Sequence, residues 1–366
     1  MTNAQQRQLS DLTKRLLQQS NGLAFKEEAT KEMQELQQVI EFHEWKYYVQ
    51  NDPVISDFEY DTLYKRLQAL ETQFPELVTA WSPTKRVSPD LTEGFSTVAH
   101  LTPMLSLENS YNADDLNEFD EQIKKMGGLA ADAEVEYCVE PKFDGGTIVL
   151  VYENDEILRG ATRGNGTQGE EITNNAKAMR TIPLKAAFSN RNIHKVELRG
   201  EALIRKDIFE KVNEQRAKTG QSILANPRNA ATGCFKVKDS SEVGRRGLEA
   251  FVYQLGYAVD KDGNDLLKTF TTHHESIELL GELGFKVPTS ETKVCKNIDE
   301  VIAFCNHWQV IRDSYDYEID GMVVKVNNLA LQDKCGYTSH HPRWAIAFKF
   351  KAKQATSKLI NVEYQV

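Results

Sequence analysis

A lysine between two acidic residues, followed by two glycines, is the feature of this sequence that most directly suggests chemistry. The residues around Lys142 read Glu-Pro-Lys-Phe-Asp-Gly-Gly, and they separate predicted strands at 135–139 and 147–152. A lysine amine is a poor nucleophile while protonated, but burial or neighbouring charges can favour its neutral, reactive form. The glycines would let a ligand approach the backbone. We therefore interpret Lys142 as a candidate nucleophile, although this short pattern alone also fits a surface hairpin turn.

Further charged residues occur within predicted strands, where a purely structural strand would not need them. Glu201 lies in an apolar strand, and Lys325 and Lys349 lie in strands whose neighbouring residues are small or apolar. Taken alone, each of these lysines could simply prevent an edge strand from pairing with another chain. Three lysines and two acids in one region instead favour a ligand rich in phosphate, because cations must hold its oxygens and spread the charge of a reacting phosphorus.

The first part of the chain, 1–75, is predicted to be helical, because its apolar residues recur at helical spacing. A capping box that starts at Ser56 begins the second helix. Asp57, Tyr60 and Asp61 then share one face of the first turn. From these residues alone, two interpretations stay open. The acids simply stabilise the positive end of the helix and Tyr60 belongs to the core, or this face binds a ligand.

The remainder of the chain is predicted to mix helices and strands, which gives an α+β protein with a small helical domain first. A linker extends to about residue 105, and Gly-rich and strand-forming segments follow it. The predicted helices lie at 114–125, 206–218, 275–283 and 299–312. The last residues, 359–366, are predicted to form a strand. We expect that a longer protein continues beyond it.

Composition restricts the classes of function. The 366 residues carry a net charge of −10, which argues against a nucleic-acid footprint over the whole surface but allows a local basic face. No apolar run is long enough to span a membrane, and no secretory signal begins the chain. The five cysteines are scattered and none forms Cys-x-x-Cys, so we expect neither a zinc knuckle nor disulfides. A reducing, cytoplasmic location is predicted.

The motifs taken together resemble those of bacterial NAD-dependent DNA ligases in order and spacing, from about residue 35 onward. The helical region contributes Tyr-Tyr-Val at 47–49 and Ile-Ser-Asp-Phe-Glu-Tyr-Asp at 55–61, and Pro-Met-Leu-Ser-Leu-Glu-Asn follows at 103–109. The remaining motifs are Glu-Pro-Lys-Phe-Asp-Gly at 140–145, Thr-Arg-Gly-Asn-Gly-Thr-Gln-Gly at 162–169, Leu-Arg-Gly-Glu at 198–201, Asn-Pro-Arg-Asn at 226–229, Ile-Asp-Gly-Met-Val-Val-Lys at 319–325 and Trp-Ala-Ile-Ala-Phe-Lys at 344–349.

The resemblance implies a role for individual residues. Lys142 would be the nucleophile that takes AMP from NAD. Asp144 and Glu201 would hold Mg²⁺, in part through water, and Arg228 and Lys236 would contact DNA phosphates. The adenylate pocket would be lined by Ser106, Leu107, Glu140, Arg163, Glu201, Lys325 and Lys349. The nicotinamide mononucleotide half would be held by Tyr47, Tyr48, Ser56, Asp57, Tyr60 and Asp61, whose rings can stack on the cationic nicotinamide and whose carboxylates can offset its charge.

The resemblance also implies a domain plan. A helical domain at 1–76 and a linker at 77–105 would precede an adenylation domain at 106–355, with a nucleotidyltransferase fold of antiparallel sheets flanked by helices, similar to ATP-grasp enzymes. Residues 356–366 would begin a truncated OB-fold. The family's later domains, including a four-cysteine zinc site, are expected to lie outside this chain. The full protein would seal nicks in double-stranded DNA, and we expect a monomer located at the bacterial nucleoid.

Alternatives to this interpretation differ in cofactor or in class. An ATP-using nucleotidyltransferase shares Lys-x-Asp-Gly, but the helical domain with Tyr47 and Asp57 would have no use there. A non-catalytic NAD- or DNA-binding module would not need the lysines and Glu201. A hydride-transferring enzyme is not supported, because no strand-linked Gly-x-Gly-x-x-Gly opens a helix.

Overall fold

The N-terminal part of the protein is a bundle of three helices. A computed structural model describes residues 1–19, 26–87, 94–351, 358, 360 and 361. Helices α1 (Asn3–Gln18), α2 (Lys26–Glu44) and α3 (Asp57–Gln73) pack around a leucine-rich core, and a π-helical turn (Trp45–Val49) continues α2. The predicted capping box is present, because the Ser56 hydroxyl accepts a hydrogen bond from the amide of Glu59 while the Glu59 carboxylate accepts one from the amide of Ser56.

Two large sheets and one small ribbon contain the strands of the described residues. The orders are β2-β11-β10-β3-β9 and β5-β4-β7-β8, with β1 and β6 forming the ribbon. All pairs are antiparallel except β2 with β11, which are parallel. The strands are β1 (Thr97–Ala99), β2 (Glu108–Ser110), β3 (Tyr137–Phe143), β4 (Gly146–Glu153), β5 (Glu156–Thr162), β6 (Gln168–Glu170), β7 (Lys195–Leu203), β8 (Glu249–Val259), β9 (Lys293–Cys295), β10 (Ile319–Val326) and β11 (Ala345–Lys349).

Helices cover each large sheet and give each one its own hydrophobic core. Side chains of α4, α10 and α11 pack on the five-stranded sheet, and those of α5, α7, α8 and α9 pack on the four-stranded sheet. Burial on one face only leaves the other face of each sheet for a different use. The helices are α4 (Ala113–Gly127), α5 (Thr173–Ala178), α6 (Lys206–Lys218), α7 (Pro227–Cys234), α8 (Ser241–Arg245), α9 (His273–Glu282), α10 (Ile298–Ile311) and α11 (Leu329–Cys335).

Lys142 lies within a strand, whereas the sequence predicted a position between strands. The predicted strand at 135–139 was placed too early, because pairing of β3 with β10 continues as far as Phe143. Pro141 is tolerated there because β9 pairs only with Tyr137 to Val139, so this end of β3 has one unpaired edge. Strand pairing between distant segments therefore decided where the lysine lies.

The predicted α+β class is confirmed, with helices first and largely antiparallel sheets after them. The strand predicted at 359–366 and the truncated OB-fold predicted at 356–366 lie outside the described residues, apart from 358, 360 and 361. Within the described part of the chain, no helix has the length and apolar character needed to cross a bilayer.

Candidate active site

A cavity of about 820 Å³ lies between the two large sheets. Strands β3, β10 and β11 contribute one wall, and β4, β7 and β8 contribute the facing wall. This volume is typical of pockets that enclose small ligands. The structure brings together in its lining every residue that the sequence predicted for the adenylate pocket, together with Asp144 and Arg228. Those residues are Ser106, Leu107, Glu140, Lys142, Arg163, Glu201, Lys325 and Lys349.

Strand register separates the charged residues of the first wall into two ends. Gly321 of β10 lies opposite Lys142 on one side and opposite Lys349 on the other, so these two lysines flank a residue without a side chain. Lys325 lies four residues further along β10, about 13 Å away at the rise of a β-strand. The cavity therefore has a two-lysine end near Lys142 and a distant end near Lys325.

Asp320 connects the two lysines at the first end. The Lys142 amine lies 2.9 and 3.0 Å from its two carboxylate oxygens, and Lys349 hydrogen-bonds to the same carboxylate. Burial lowers the pKa of Lys142, although Asp320 opposes this shift. Burial alone would also lower the pKa of Lys349, but the hydrogen bond to Asp320 and the charge of Asp320, with smaller contributions from Lys142 and Asp144, together outweigh burial and raise it. Lys142 is therefore the lysine that gives up its proton more readily.

Glu140 and Lys325 form a buried ion pair at the distant end. The Lys325 amine lies 2.6 Å from a Glu140 carboxylate oxygen and 3.1 Å from the carbonyl of Tyr253. His273 lies 2.6 Å from the other Glu140 oxygen. Burial alone would raise the pKa of Glu140, but the contacts with Lys325 and His273 outweigh it and lower the pKa to about 2. Glu140 is thus an ionised acceptor.

The facing wall carries Glu201, a carboxyl group whose pKa is shifted in the opposite direction from that of Glu140. Glu201 lies opposite Thr147 on the neighbouring strand and hydrogen-bonds to its hydroxyl. Burial raises the pKa of Glu201 to about 7, and the hydrogen bond and nearby cations only partly oppose this. Asp144 lies close by at the mouth of the cavity, where its carboxylate pairs with Arg228 at 3.0 Å. The structure thus pairs Asp144 with Arg228 and leaves the orientation of Lys142 to Asp320.

The segment before β2 closes one side of the cavity. Arg199 donates hydrogen bonds to the carbonyls of Thr102 and Pro103 at 3.0 Å each and to the Thr102 hydroxyl at 2.6 Å. Further along, Arg163 donates to the hydroxyl of Ser106 at 3.1 Å. These contacts fix the backbone that carries Ser106 and the adjacent Leu107 into the cavity lining.

The residues predicted for nicotinamide mononucleotide do not lie in this cavity. Its described lining contains no residue from the helical bundle. Tyr60 donates to Glu44 at 3.0 Å and accepts from Arg180 at 3.3 Å, and the Arg180 guanidinium lies 5.8 Å from the ring centre of Tyr48. Tyr47, Ser56, Asp57 and Asp61 are exposed, and Ser56 caps α3. The residues predicted for nicotinamide mononucleotide and those predicted for the adenylate pocket therefore lie in separate parts of the structure.

A buried ion pair joins the bundle to the remainder of the protein. The Glu44 carboxylate, 2% exposed, accepts a hydrogen bond from Arg86 at 2.9 Å and pairs with Arg180. Arg86 also donates to the carbonyl of Lys177, in the last turn of α5, and to that of Ile182, which follows α5. This network holds the Tyr60 side of α3 against the part of the protein that contains the sheets, away from Lys142.

Three residues of the site, Asp320, Arg199 and His273, were missed by sequence reasoning, and the role predicted for Lys236 in binding DNA phosphate stays a prediction. Lys236 lies outside the cavity lining and pairs with Glu170 at 2.8 Å. Asp320 was visible only as the acid before Gly321, Arg199 as part of a strand motif, and His273 as a helix residue. The alternation of β10 puts Asp320 and Lys325 on opposite faces, so alternation gave no signal that this acid reaches Lys142.

Comparison with known families follows the same division of the chain. The family model for the NAD-dependent DNA ligase adenylation domain matches residues 92–353, and the model for the DNA ligase-like N-terminal NAD⁺-binding domain matches residues 26–88. The chain belongs to the NAD-dependent DNA ligase family. The resemblance stated from the motifs is therefore confirmed, and the two family models cover α2, α3 and the sheets of this ligase chain.

Proteins named DNA ligase are similar to this chain over nearly all of its length. The protein from Sulfurihydrogenibium sp. (strain YO3AOP1) is 56% identical over 366 residues, which is 100% of this chain and 51% of that protein. The protein from Aquifex aeolicus (strain VF5) is 50% identical, over 100% of this chain and 50% of that protein. The ligase chain thus spans about half the length of these curated relatives.

One solved ligase structure resembles the ligase chain weakly. A mycobacterial DNA ligase D complexed with ATP and MES matches 68% of this chain and 60% of that chain, at 17% identity and a TM-score of 0.34. That score is too low to support an argument about this chain.

Proposed function

We propose that this chain carries out the first step of NAD-dependent ligation, the transfer of AMP from NAD to Lys142. The observation that carries the proposal is the Asp320 carboxylate, which holds Lys142 and Lys349 side by side at one end of the cavity. The pKa of Lys142 is lowered by burial, whereas that of Lys349 is raised by Asp320. Two neighbouring lysines with opposite shifts supply a nucleophile and a cation for phosphate.

The proposed reaction is a displacement at the phosphorus atom of the adenosine half of NAD. The neutral amine of Lys142 forms an N–P bond, and the bond from that phosphorus to the bridging oxygen breaks. Nicotinamide mononucleotide leaves with the electron pair. The proton lost from the amine passes to Asp320, whose carboxylate is 2.9 Å from the nitrogen. Lys349 offsets the charge that develops on the phosphoryl oxygens.

The remainder of the adenylate lies along the cavity in this proposal. The base reaches the Glu140–Lys325 end, because that end offers an acceptor beside a donor, as a purine edge requires. The ribose lies near Glu201 on the facing wall. Ser106, Leu107 and Arg163 close the third side.

The helical bundle is proposed to hold the nicotinamide mononucleotide half. Tyr47 and Asp57 are exposed and would supply a ring and a carboxylate to the cationic nicotinamide. Tyr48, Tyr60, Ser56 and Asp61 belong to the same proposed surface. Because this surface is held against the flank of the other half through Arg180, we propose that the bundle leaves that contact when NAD binds.

Mg²⁺ fits the carboxylates of the cavity. Asp144 and Glu201 both line it, and burial keeps the pKa of Glu201 raised although Lys142 and Arg228 oppose this shift. Magnesium is usually bound by one or two carboxylates, several waters and substrate phosphates. The ion would neutralise charge on the phosphates of NAD. Glu201 and Asp144 would orient its waters.

The activity of the whole protein is also a proposal. We propose that the longer protein passes AMP to a 5′-phosphate at a nick in double-stranded DNA and then joins it to the 3′-hydroxyl during replication and repair. Arg228 and Lys236 are proposed to contact DNA phosphates. The proposed domains are 1–76 and 106–355, joined by the linker at 77–105, in a cytoplasmic monomer that acts at the nucleoid.

Intact-protein mass spectrometry tests the proposed reaction. Protein freed of bound AMP is incubated with Mg²⁺ and either NAD or ATP. We expect a mass gain of one AMP with NAD alone, release of nicotinamide mononucleotide, and no gain in Lys142→Ala. Lys261→Ala, an exposed lysine in a hairpin turn, is the matched control and is expected to react normally. A gain with ATP, or a gain in Lys142→Ala, would overturn the proposal.

A further inference from the structure

His273 is a buried side chain behind the wall of the cavity. It is 4% exposed, begins α9 and does not belong to the cavity lining. Its ring nitrogen Nε2 lies 2.6 Å from Oε1 of Glu140 and 3.0 Å from Nζ of Lys325. The three side chains form a cluster at the end of the cavity far from Lys142.

The backbone holds this ring in place. The amide of His273 donates to the carbonyl of Asn327 at 2.7 Å, and the amide of His274 donates to the Asn327 side chain at 3.0 Å. Asn327 is in turn joined to Glu136 by two hydrogen bonds, at 2.9 and 2.6 Å. Asn327 follows β10 and Glu136 precedes β3, so α9 begins on the two strands that carry the other members of the cluster.

The position of the ring proton follows from the charges. Burial and the neighbouring Lys325 ammonium lower the pKa of His273, although Glu140 opposes this, so the ring is neutral. Glu140 is ionised, and a carboxylate oxygen at 2.6 Å from Nε2 requires a proton on that nitrogen. Nε2 therefore donates to Glu140 and cannot also accept from Lys325.

The other two partners of Lys325 then fix the direction of its ammonium group. Its ammonium donates to Oε2 of Glu140 at 2.6 Å and to the carbonyl of Tyr253 at 3.1 Å. An ammonium has three donors, which leaves one N–H for a ligand in the cavity. The direction of that N–H depends on Glu140, and the orientation of Glu140 depends on His273.

A metal ion is a less suitable explanation of this cluster. Cys138, Glu140 and His273 have ligand atoms within 4.8 Å of one another. Lys325 already supplies a positive charge 2.6 Å from Glu140. Burial raises the pKa of the Cys138 thiol well above its ordinary value, which disfavours the thiolate that a metal would need.

We propose that His273 is a positioning residue for base selection: by holding Glu140, it fixes the Lys325 donor beside a carboxylate acceptor and so favours 6-aminopurines over 6-oxopurines. The inference rests on the proposed function, because it takes the base of NAD as the ligand of this end. Adenine offers a ring acceptor beside an amino donor and matches the pair. A 6-oxopurine offers a ring donor beside a carbonyl acceptor and does not.

Two amide variants of His273 test the role. The amide nitrogen of His273→Gln reaches the position of the ring Nε2, whereas that of His273→Asn is one methylene short. Binding of NAD and of its hypoxanthine analogue is measured by calorimetry, AMP transfer by mass spectrometry, and folding by thermal melting. His274→Gln changes the adjacent, partly exposed histidine and is the matched control.

We expect His273→Asn to weaken NAD binding and to reduce the preference over the hypoxanthine analogue, each about tenfold, the value of one charge-assisted hydrogen bond. His273→Gln should recover most of both losses, and His274→Gln should match the parent. Equal impairment of both amide variants, an unchanged preference in His273→Asn, or no base preference in the parent would overturn the inference. Absence of AMP transfer in a parent that still prefers NAD would instead overturn the proposed function.

Discussion

The cavity around Lys142 and the exposed surface around Tyr47 and Asp57 are expected to hold the two halves of one substrate, yet they are built differently. Strand register fixes the cavity, since one glycine, Gly321, sets the positions of Lys142 and Lys349. The second surface depends on two local helical turns, the π-helical turn at Trp45–Val49 and the first turn of α3, and is held away from the cavity through Arg180. We infer that the adenylate half meets a preformed site, whereas the other half meets one that must be brought to it.

The largest expected effect concerns the preformed site. Asp320→Asn removes the negative charge shared by Lys142 and Lys349, so two cations would face each other without a counter-charge. We expect the rate of AMP transfer from NAD to fall about 100-fold, the scale seen when one preorganised electrostatic contact at a reaction centre is lost. Quench-flow sampling with mass detection of the AMP adduct measures this rate.

Asp316→Asn is the matched control for that variant. Asp316 lies just before β10, and its exposed carboxylate pairs with Arg205 at 3.3 Å. The control should react within about twofold of the parent, since exposed ion pairs contribute little. An Asp320→Asn protein as fast as this control would show that the shared carboxylate is not needed.

The next prediction concerns Glu44, which pairs with Arg86 and Arg180 where the bundle meets the remainder of the protein. Glu44→Gln leaves Arg86, 5% exposed, without its buried carboxylate partner. We expect the free energy of unfolding to fall by about 3 kcal/mol, as for other broken buried pairs. Urea unfolding measures this loss. Glu76→Gln, which breaks an exposed pair with Lys26, should cost less than about 0.5 kcal/mol, and equal losses would contradict the account.

A smaller effect concerns pH and the facing wall of the cavity. Burial raises the pKa of Glu201 from 4.5 to about 7, so between these values the folded protein keeps a proton that the unfolded chain releases. Stability should therefore fall as pH rises through this window. Glu201→Gln should remove that slope and be more stable than the parent at pH 8 by on the order of 2 kcal/mol, with little difference near pH 4.5.

A second variant sharpens the pH prediction. Thr147→Val removes the hydrogen bond that opposes the effect of burial on Glu201. The slope should become larger in this variant, and thermal melting from pH 4.5 to 8 measures it in all three proteins. A parent whose melting temperature does not depend on Glu201 in this range would refute the raised pKa.

The charged strand residues of the cavity could be singled out from local strand patterns, whereas the full set of adenylate-pocket residues was predicted from the resemblance of the motifs. Alternation along β10 puts Gly321, Val323 and Lys325 on one face, and the same alternation applies to β11. Local rules could not predict contacts between distant segments. Asp320 reaches Lys142 from 178 residues away, and His273 reaches Glu140 from 133 residues away. Such pairs depend on the fold and leave no periodic signal.

For the exposed surface around Tyr47 and Asp57, the local structure was predictable but its position relative to the cavity was not. The capping box at Ser56 and the start of α3 were predictable, since both are set within four residues of sequence. The position of α3 relative to the cavity was not predictable, because it depends on Arg180, which lies 120 residues after Tyr60. Local structure therefore does not reveal whether Tyr48 and Tyr60 face a ligand or another part of the protein.

The most direct test of the two-site account compares Tyr47→Ala with Phe58→Ala, a neighbouring aromatic residue that is 80% exposed and has no predicted role. Calorimetry measures AMP affinity, and mass spectrometry measures AMP transfer from NAD below saturation. We predict that Tyr47→Ala slows transfer about tenfold while AMP affinity stays within about twofold, and that Phe58→Ala changes neither. Equal behaviour of the two variants, or a parallel loss of AMP affinity, would contradict the account.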